Sequence, residues 1–199
     1  MTDRPTSILP GPGNSSFGEP EAGTTRPNRR PLAWNGATDV GLLILRFAVG
    51  GTFFAHGMQK VFGLWDGPGV AEFGRMLERY GYQQALTLSW ATGIAELVAG
   101  AFVVLGVLTP LAAAALVAIK INAVLIKLSG GFFITAAGAN AVELDVVLGL
   151  AAAALVLTGA GRIAIENGSA WHRRPASWGV LALVIGVAVG VLVYVFLRV

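Results

Sequence analysis

Five apolar stretches follow one another along the chain, at residues 39–62, 86–107, 110–128, 141–160 and 178–197. Each is close to the roughly 20 residues that a helix needs to cross about 30 Å of hydrocarbon. In lipid the backbone must satisfy its own hydrogen bonds, and the stretches are too long and lack the period-two alternation of strands. The pattern therefore predicts an all-α protein with five transmembrane helices.

The residues between the stretches predict where the helices begin and end. Thr109-Pro110, after Gly106, is typical of an N-cap with a first-turn proline, so the second and third helices should form a tight hairpin. Asn140, three residues before Glu143, is typical of the N-cap that opens the fourth helix. The spacing Gly186-x-x-x-Gly190 allows a close helix contact, either within the bundle or with another subunit.

Segment 69–80 lies between the first two apolar stretches and has helical periodicity. Val70, Phe73, Leu77 and Tyr80 fall on one stripe of a helix. We expect a short amphipathic helix that lies on the outer membrane interface.

The first 37 residues differ from the rest, because they hold six of the nine prolines and few aliphatic side chains. This composition predicts a disordered or extended tail, and its basic cluster of Arg26, Arg29 and Arg30 favours a cytoplasmic N-terminus. A docking segment for a partner is the alternative. Five spans would then put the C-terminus outside, after an inner loop and fifth helix at 167–199.

Composition supports a membrane protein, since 55% of residues are hydrophobic and only 13% are charged, against about 25% charged in soluble domains. The basic residues are scattered or flank apolar stretches, which gives no indication of nucleic-acid binding. The chain has no cysteine. Thiol nucleophiles, disulfides and thiolate metal sites are therefore excluded, and no other metal-ligand spacing occurs.

Ionisable residues inside the apolar stretches predict two polar layers. Glu96 and Lys120 each lie twelve residues from position 108, or roughly 18 Å from the hairpin turn at 1.5 Å per residue. We expect them to form a buried structural ion-pair layer with Arg46, because charges in hydrocarbon usually face the bundle interior and pair.

The second layer is a candidate polar site nearer the outer surface, made of His56, Lys60, Lys127, Glu143 and Asp145. His56 and Lys60 are four residues apart and share a helix face, and an unperturbed histidine titrates near neutral pH. The alternatives are structural: the two lysines extend to the interface, and Glu143 only caps its helix. Asp145 has no such explanation, because it is expected beyond the first helical turn.

Three segments together resemble a known family. They are the run Gly50–Gly63 (GGTFFAHGMQKVFG) with Arg46 before it, the run Gly93–Glu96 (GIAE), and the run Leu157–Arg162 (LTGAGR). The spacing resembles that of the DoxX family of small bacterial membrane proteins over residues 38–166. The resemblance implies a four-helix transmembrane bundle in the bacterial plasma membrane, to which this chain adds its tail and a fifth C-terminal transmembrane helix.

The resemblance also implies a function, an accessory subunit of a quinone-linked redox or respiratory oxidase complex without catalysis of its own. The expected partners are the lipid bilayer and other membrane subunits, and no cofactor is predicted apart from a quinone ligand. Three alternatives stay open. They are a binder or transporter of a small molecule, anion or quinone at the outer polar site, an assembly factor for membrane proteins, and a quinone oxidoreductase in which His56 passes protons.

Overall fold

The computed structural model describes residues 35–133, 142–168 and 175–198, and the regular elements in these ranges are helical. There are six α-helices in them, and a 3₁₀ turn at Leu128–Gly130 extends the fourth. The helices are α1 Gly36–Phe62, α2 Gly69–Arg79, α3 Ala85–Leu105, α4 Thr109–Lys127, α5 Glu143–Thr158 and α6 Pro175–Leu197. We call the side of the α3–α4 turn (106–108) the hairpin end and the opposite side the α2 end.

Four of these helices are long and apolar enough to cross a membrane: α1, α3, α4 with its 3₁₀ turn, and residues Ser177–Leu197 of α6. Together with the all-helical fold they identify a membrane protein. Within the described residues, α5 has 16 residues, or about 24 Å of helix, which is shorter than the hydrocarbon core. The fifth span predicted at 141–160, and with it the orientation of the termini, stays a prediction.

Two predicted boundaries are corrected. Helix α1 begins at Gly36, where the side chain of Asn35 accepts a hydrogen bond from the Ala37 amide at 3.1 Å, so the predicted tail is too long by two residues. Leu108, with φ 46°, precedes α4, and Thr109 is its first residue rather than its N-cap. The Glu166 carboxylate accepts the Thr109 N–H at 3.2 Å and replaces the capping side chain. The rest of the tail, with its arginines, and Asn140 lie outside the described residues.

Helices α1 and α3 approach so closely that their backbones touch. A Cβ added to Gly50 would lie 2.7 Å from the carbonyl oxygen of Gly100, and one added to Gly57 would lie 2.6 Å from the amide nitrogen of Leu97. No real Cβ tolerates such distances to backbone atoms. These glycines therefore determine the spacing of α1 and α3.

The adjacent glycines Gly50 and Gly51 allow a matched test of this contact. We expect Gly50→Ala to lower the free energy of unfolding by about 1–3 kcal/mol, because the two backbones must separate. Gly51→Ala should change it by less than about 1 kcal/mol, since nothing lies within 4 Å of its added Cβ. Unfolding in mixed micelles measures both, and equal effects would show that the α1–α3 contact is not tight.

Helix α6 packs against its own bundle. Gly186 and Gly190 lie against the α4 backbone, and a Cβ on them would come within 2.5 Å of the Ala114 oxygen and 3.0 Å of the Ala118 oxygen. At the α2 end, Arg198 donates to the carbonyl oxygen of Tyr80 at 2.9 Å. Of the two alternatives for Gly186-x-x-x-Gly190, the structure has the contact within the bundle.

Candidate functional site

A cavity of about 610 Å³ lies at the α2 end of the bundle, and all six helices contribute to its wall. Its volume is typical of pockets for drug-sized ligands. Apolar side chains such as Phe73, Met76 and Ala95 form much of the wall. The polar lining residues are His56, Gln59, Lys60, Tyr80, Tyr82, Thr92, Glu96, Lys120, Asn122, Lys127 and Asp145.

Lys60 and Glu96 form the first ion pair of the wall. The Lys60 ammonium donates to both oxygens of Glu96, at 2.6 and 2.5 Å, and Glu96 is fully buried. Lys60 lies in the last turn of α1, but helical side chains point back toward the N-terminus of their helix, which here is toward the bundle interior. Its ammonium also lies 4.8 Å from the centre of the Phe73 ring on α2. Lys60 therefore does not extend to the outer interface.

Asp145 bridges two lysines of α4 and forms the second ion-paired group. Lys120 donates to Oδ1 at 2.8 Å, and Lys127 donates to Oδ2 at 2.9 Å. Lys120 and Asp145 are buried, whereas the Lys127 side chain is about one third exposed. Asp145 lies in the first turn of α5, not beyond it as expected. There the free N–H groups and the helix dipole stabilise a carboxylate.

His56 lines the cavity within electrostatic range of both ion-paired groups. Its ring packs edge-on against Phe53, with 6.5 Å between ring centres. Among the described residues, the imidazole has no hydrogen-bond partner. Its nitrogens are therefore available to a molecule in the cavity.

Tyr82 and Asn122 form a neutral part of the wall. The Tyr82 hydroxyl donates to Asn122 Oδ1 at 2.9 Å, and the Asn122 amide donates to the Gly190 carbonyl oxygen at 2.8 Å. Burial raises the pKa of Tyr82, so its phenol keeps the proton that it donates. Tyr82 lies between α2 and α3, outside the apolar stretches, and no sequence pattern marked it as a lining residue.

Arg46 is buried at the hairpin end, where it bonds only backbone among the described residues. Its guanidinium donates to four carbonyl oxygens, those of Val103 and Val104 at the end of α3 and those of Ala160 and Ile163 after α5. The four distances run from 2.5 to 3.0 Å. The last carbonyls of a helix lack intrahelical partners, and arginine has enough N–H groups to satisfy several at once.

The predicted pairing within the Arg46, Glu96 and Lys120 layer is therefore wrong. All three residues are buried, but Glu96 pairs with Lys60 and Lys120 pairs with Asp145. The estimated depths along the bundle could not tell which way each side chain faces around its helix axis.

Of the five residues predicted for the outer polar site, the structure places His56, Lys60, Lys127 and Asp145 on one cavity wall. Glu143 does not line the cavity and begins α5, where its amide donates to the Phe132 carbonyl oxygen at 3.0 Å. Glu96 and Lys120, assigned by sequence to the deeper layer, belong to this wall instead.

The groups on the wall can bind the headgroup of a ligand. In the parts of the chain that the structure describes, no group of three or more His, Asp or Glu side chains is placed to hold a metal ion. What the wall offers is ammonium and imidazole groups beside an apolar volume, an arrangement that fits a molecule with a polar headgroup and an apolar body.

Comparison with known proteins identifies one family. Residues 41–128, from α1 into the 3₁₀ turn after α4, match the model of the DoxX family, which confirms the resemblance over that part of the chain. The match ends before α5. No curated protein and no solved structure matches the chain.

Proposed function

We propose that this chain, whose residues 41–128 match the DoxX family model, takes a small amphiphilic molecule from the bilayer into the cavity beneath α2. The observation that carries the proposal is the cavity itself, which has a volume of about 610 Å³ and is bordered by apolar side chains and by ionisable groups. Buried ionisable residues within membrane helices are costly and usually serve a function.

The ammonium groups of the wall can hold a headgroup. Each ammonium has three N–H donors, and Lys120 and Lys127 each give one to Asp145. Among the described residues no second acceptor lies within hydrogen-bond distance of either ammonium. The oxygen of an anion or of a quinone can accept these remaining N–H groups, so both headgroups predicted from the sequence fit this chemistry.

Filling the cavity tests the proposal. We expect Ala95→Phe to weaken binding of a radiolabelled amphiphile by about tenfold or more, because Ala95 lines the cavity and the new ring occupies the ligand volume. Ala154→Phe is the matched control, since Ala154 is exposed on α5 and does not line the cavity. Equilibrium binding to purified protein in phosphatidylcholine nanodiscs gives both values.

Two results would contradict the proposal. One is the absence of saturable binding for quinones, anionic amphiphiles and neutral amphiphiles alike. The other is equal loss of binding in Ala95→Phe and Ala154→Phe, which would place the ligand on the lipid-facing surface. Thermal unfolding of both variants shows whether each is folded during the assay.

A role as accessory subunit of a quinone-linked redox complex rests on the family relationship alone, as does a role as assembly factor. The packing of α6 on its own bundle removes one reason to expect a partner there. Cavity binding is compatible with either role. Purification in mild detergent with mass spectrometry tests the first role, because co-purifying oxidase or dehydrogenase subunits support the redox complex and recovery of the chain alone opposes it.

A further inference from the structure

The charges on the cavity wall do not balance, and from this we infer that the ligand is an amphiphile whose headgroup carries one negative charge. The inference rests on the proposed function and specifies its ligand class. Among the residues that line the cavity there are three lysines, Lys60, Lys120 and Lys127, and two carboxylates, Glu96 and Asp145. With His56 neutral, the wall has a surplus of one positive charge.

The surplus is located at Asp145. Lys60 and Glu96 form a one-to-one pair in which both carboxylate oxygens accept from one ammonium. Asp145 instead divides its two oxygens between two ammonium groups. Among the residues that the structure describes, no further acid lines the cavity, and Glu143 lies off its wall.

Lys120 and Asp145 are buried and the Lys127 side chain is about one third exposed, so the surplus charge is only partly solvated. A partly buried charge is costly unless an opposite charge compensates it. The centre of the Phe53 ring lies 5.0 Å from the Lys120 ammonium, and the ring face offers only a weaker attraction than a negative charge does. An anionic headgroup between Lys120, Lys127 and His56 compensates the charge and accepts the remaining N–H groups. Its apolar chain can then occupy the volume bordered by Phe73, Met76 and the alanines of α3 and α4.

The test uses radiolabelled dodecanoate bound to the purified chain in phosphatidylcholine nanodiscs, with empty nanodiscs subtracted. Dodecyl sulfonate should compete, and dodecanamide, which has the same chain length without the charge, should compete at least tenfold more weakly. Acetate should not compete, which distinguishes an amphiphilic anion from a free one. Competition by acetate at the concentration of dodecanoate would overturn the amphiphilic part of the inference.

We predict opposite effects of two charge variants on dodecanoate binding. Lys127→Gln removes the surplus charge and should weaken dodecanoate binding about tenfold or more, whereas Asp145→Asn raises the surplus and should strengthen it. A merely structural role for the cluster predicts loss in both variants. Arg75→Gln on the exposed face of α2 is the control for general attraction of anions.

The outcomes separate this inference from the proposed function. If dodecanamide or a neutral quinone binds as tightly as dodecanoate, the anion inference is wrong and cavity binding stands. Weaker binding by Asp145→Asn, with the variant folded, also overturns the anion inference. If no amphiphile binds saturably, both fail.

Discussion

Replacing Arg46 by methionine should abolish stable folding of the bundle. The guanidinium satisfies four carbonyl oxygens, at the end of α3 and in the segment after α5, and it is 1% exposed. The Val103 carbonyl also accepts from the Gly106 amide, so three carbonyls would lose their donor. At about 1–3 kcal/mol for each of them, the free energy of unfolding should fall by at least about 3 kcal/mol. Yield in membranes and unfolding in mixed micelles measure the loss.

Two controls separate this effect from loss of charge alone. Arg46→Lys keeps the charge but lacks the planar fork that reaches both segments, so we expect an intermediate loss. Arg75→Met removes an arginine whose side chain is 66% exposed and should change stability by less than about 1 kcal/mol. If Arg46→Met were as stable as Arg75→Met, the guanidinium would not be what joins α3 to the segment after α5.

Removing one partner of the Lys60–Glu96 pair should have the next largest effect. In Lys60→Met the Glu96 carboxylate stays in a fully buried position without its ammonium partner. Leaving a buried charge unpaired costs about 3–5 kcal/mol at neutral pH. Chemical unfolding of the variant in mixed micelles gives the value.

The double variant Lys60→Met with Glu96→Leu is the matched control, because it replaces both charges by apolar groups of similar size. Its stability should recover to within about 1–2 kcal/mol of the unmodified chain, which corresponds to a strong coupling between the two positions. Additive losses in the double variant would contradict the pairing and would mean that Lys60 and Glu96 act separately.

The helices could be predicted from the sequence because each apolar stretch is long enough to span the hydrocarbon core and lacks the period-two alternation of a strand. The resemblance to the DoxX family could also be predicted, since the Gly50–Gly63 run and the Gly93–Glu96 run lie within residues 41–128, which match the family model. Helix α5 is the exception. Its apolar stretch predicts a full span, but α5 has 16 residues from Glu143 to Thr158, so this span stays a prediction.

The pairing of buried charges could not be predicted in the same way. Sequence spacing gives the depth of a residue in the bundle, and it places Glu96 and Lys120 at the same depth. It does not give the rotation of each helix about its axis, which determines the side chains that meet. The hydrogen-bond partners of Arg46 could not be predicted either, because they are backbone carbonyls, which every residue has and which no sequence pattern identifies.

Helix α2 closes the candidate site and was predicted as an amphipathic segment. Leu77 is buried and Phe73 lines the cavity, while Glu72 and Arg75 form an ion pair on the outer face. The hydrogen bond from Arg75 lowers the pKa of Glu72, so this face stays charged at neutral pH. The amphipathic pattern thus corresponds to an apolar cover over the cavity and a polar outer surface.

Photolabelling tests most directly whether a molecule occupies the cavity. The chain in native membranes is irradiated with a diazirine-bearing alkyl amphiphile, and the labelled residues are mapped by mass spectrometry. We predict labelling at lining positions such as Met76, Ala95 and Ala123 that excess unlabelled amphiphile removes, while labelling at lipid-facing Ala154 persists. Uncompeted labelling spread evenly over lining and lipid-facing positions would contradict ligand binding in the cavity.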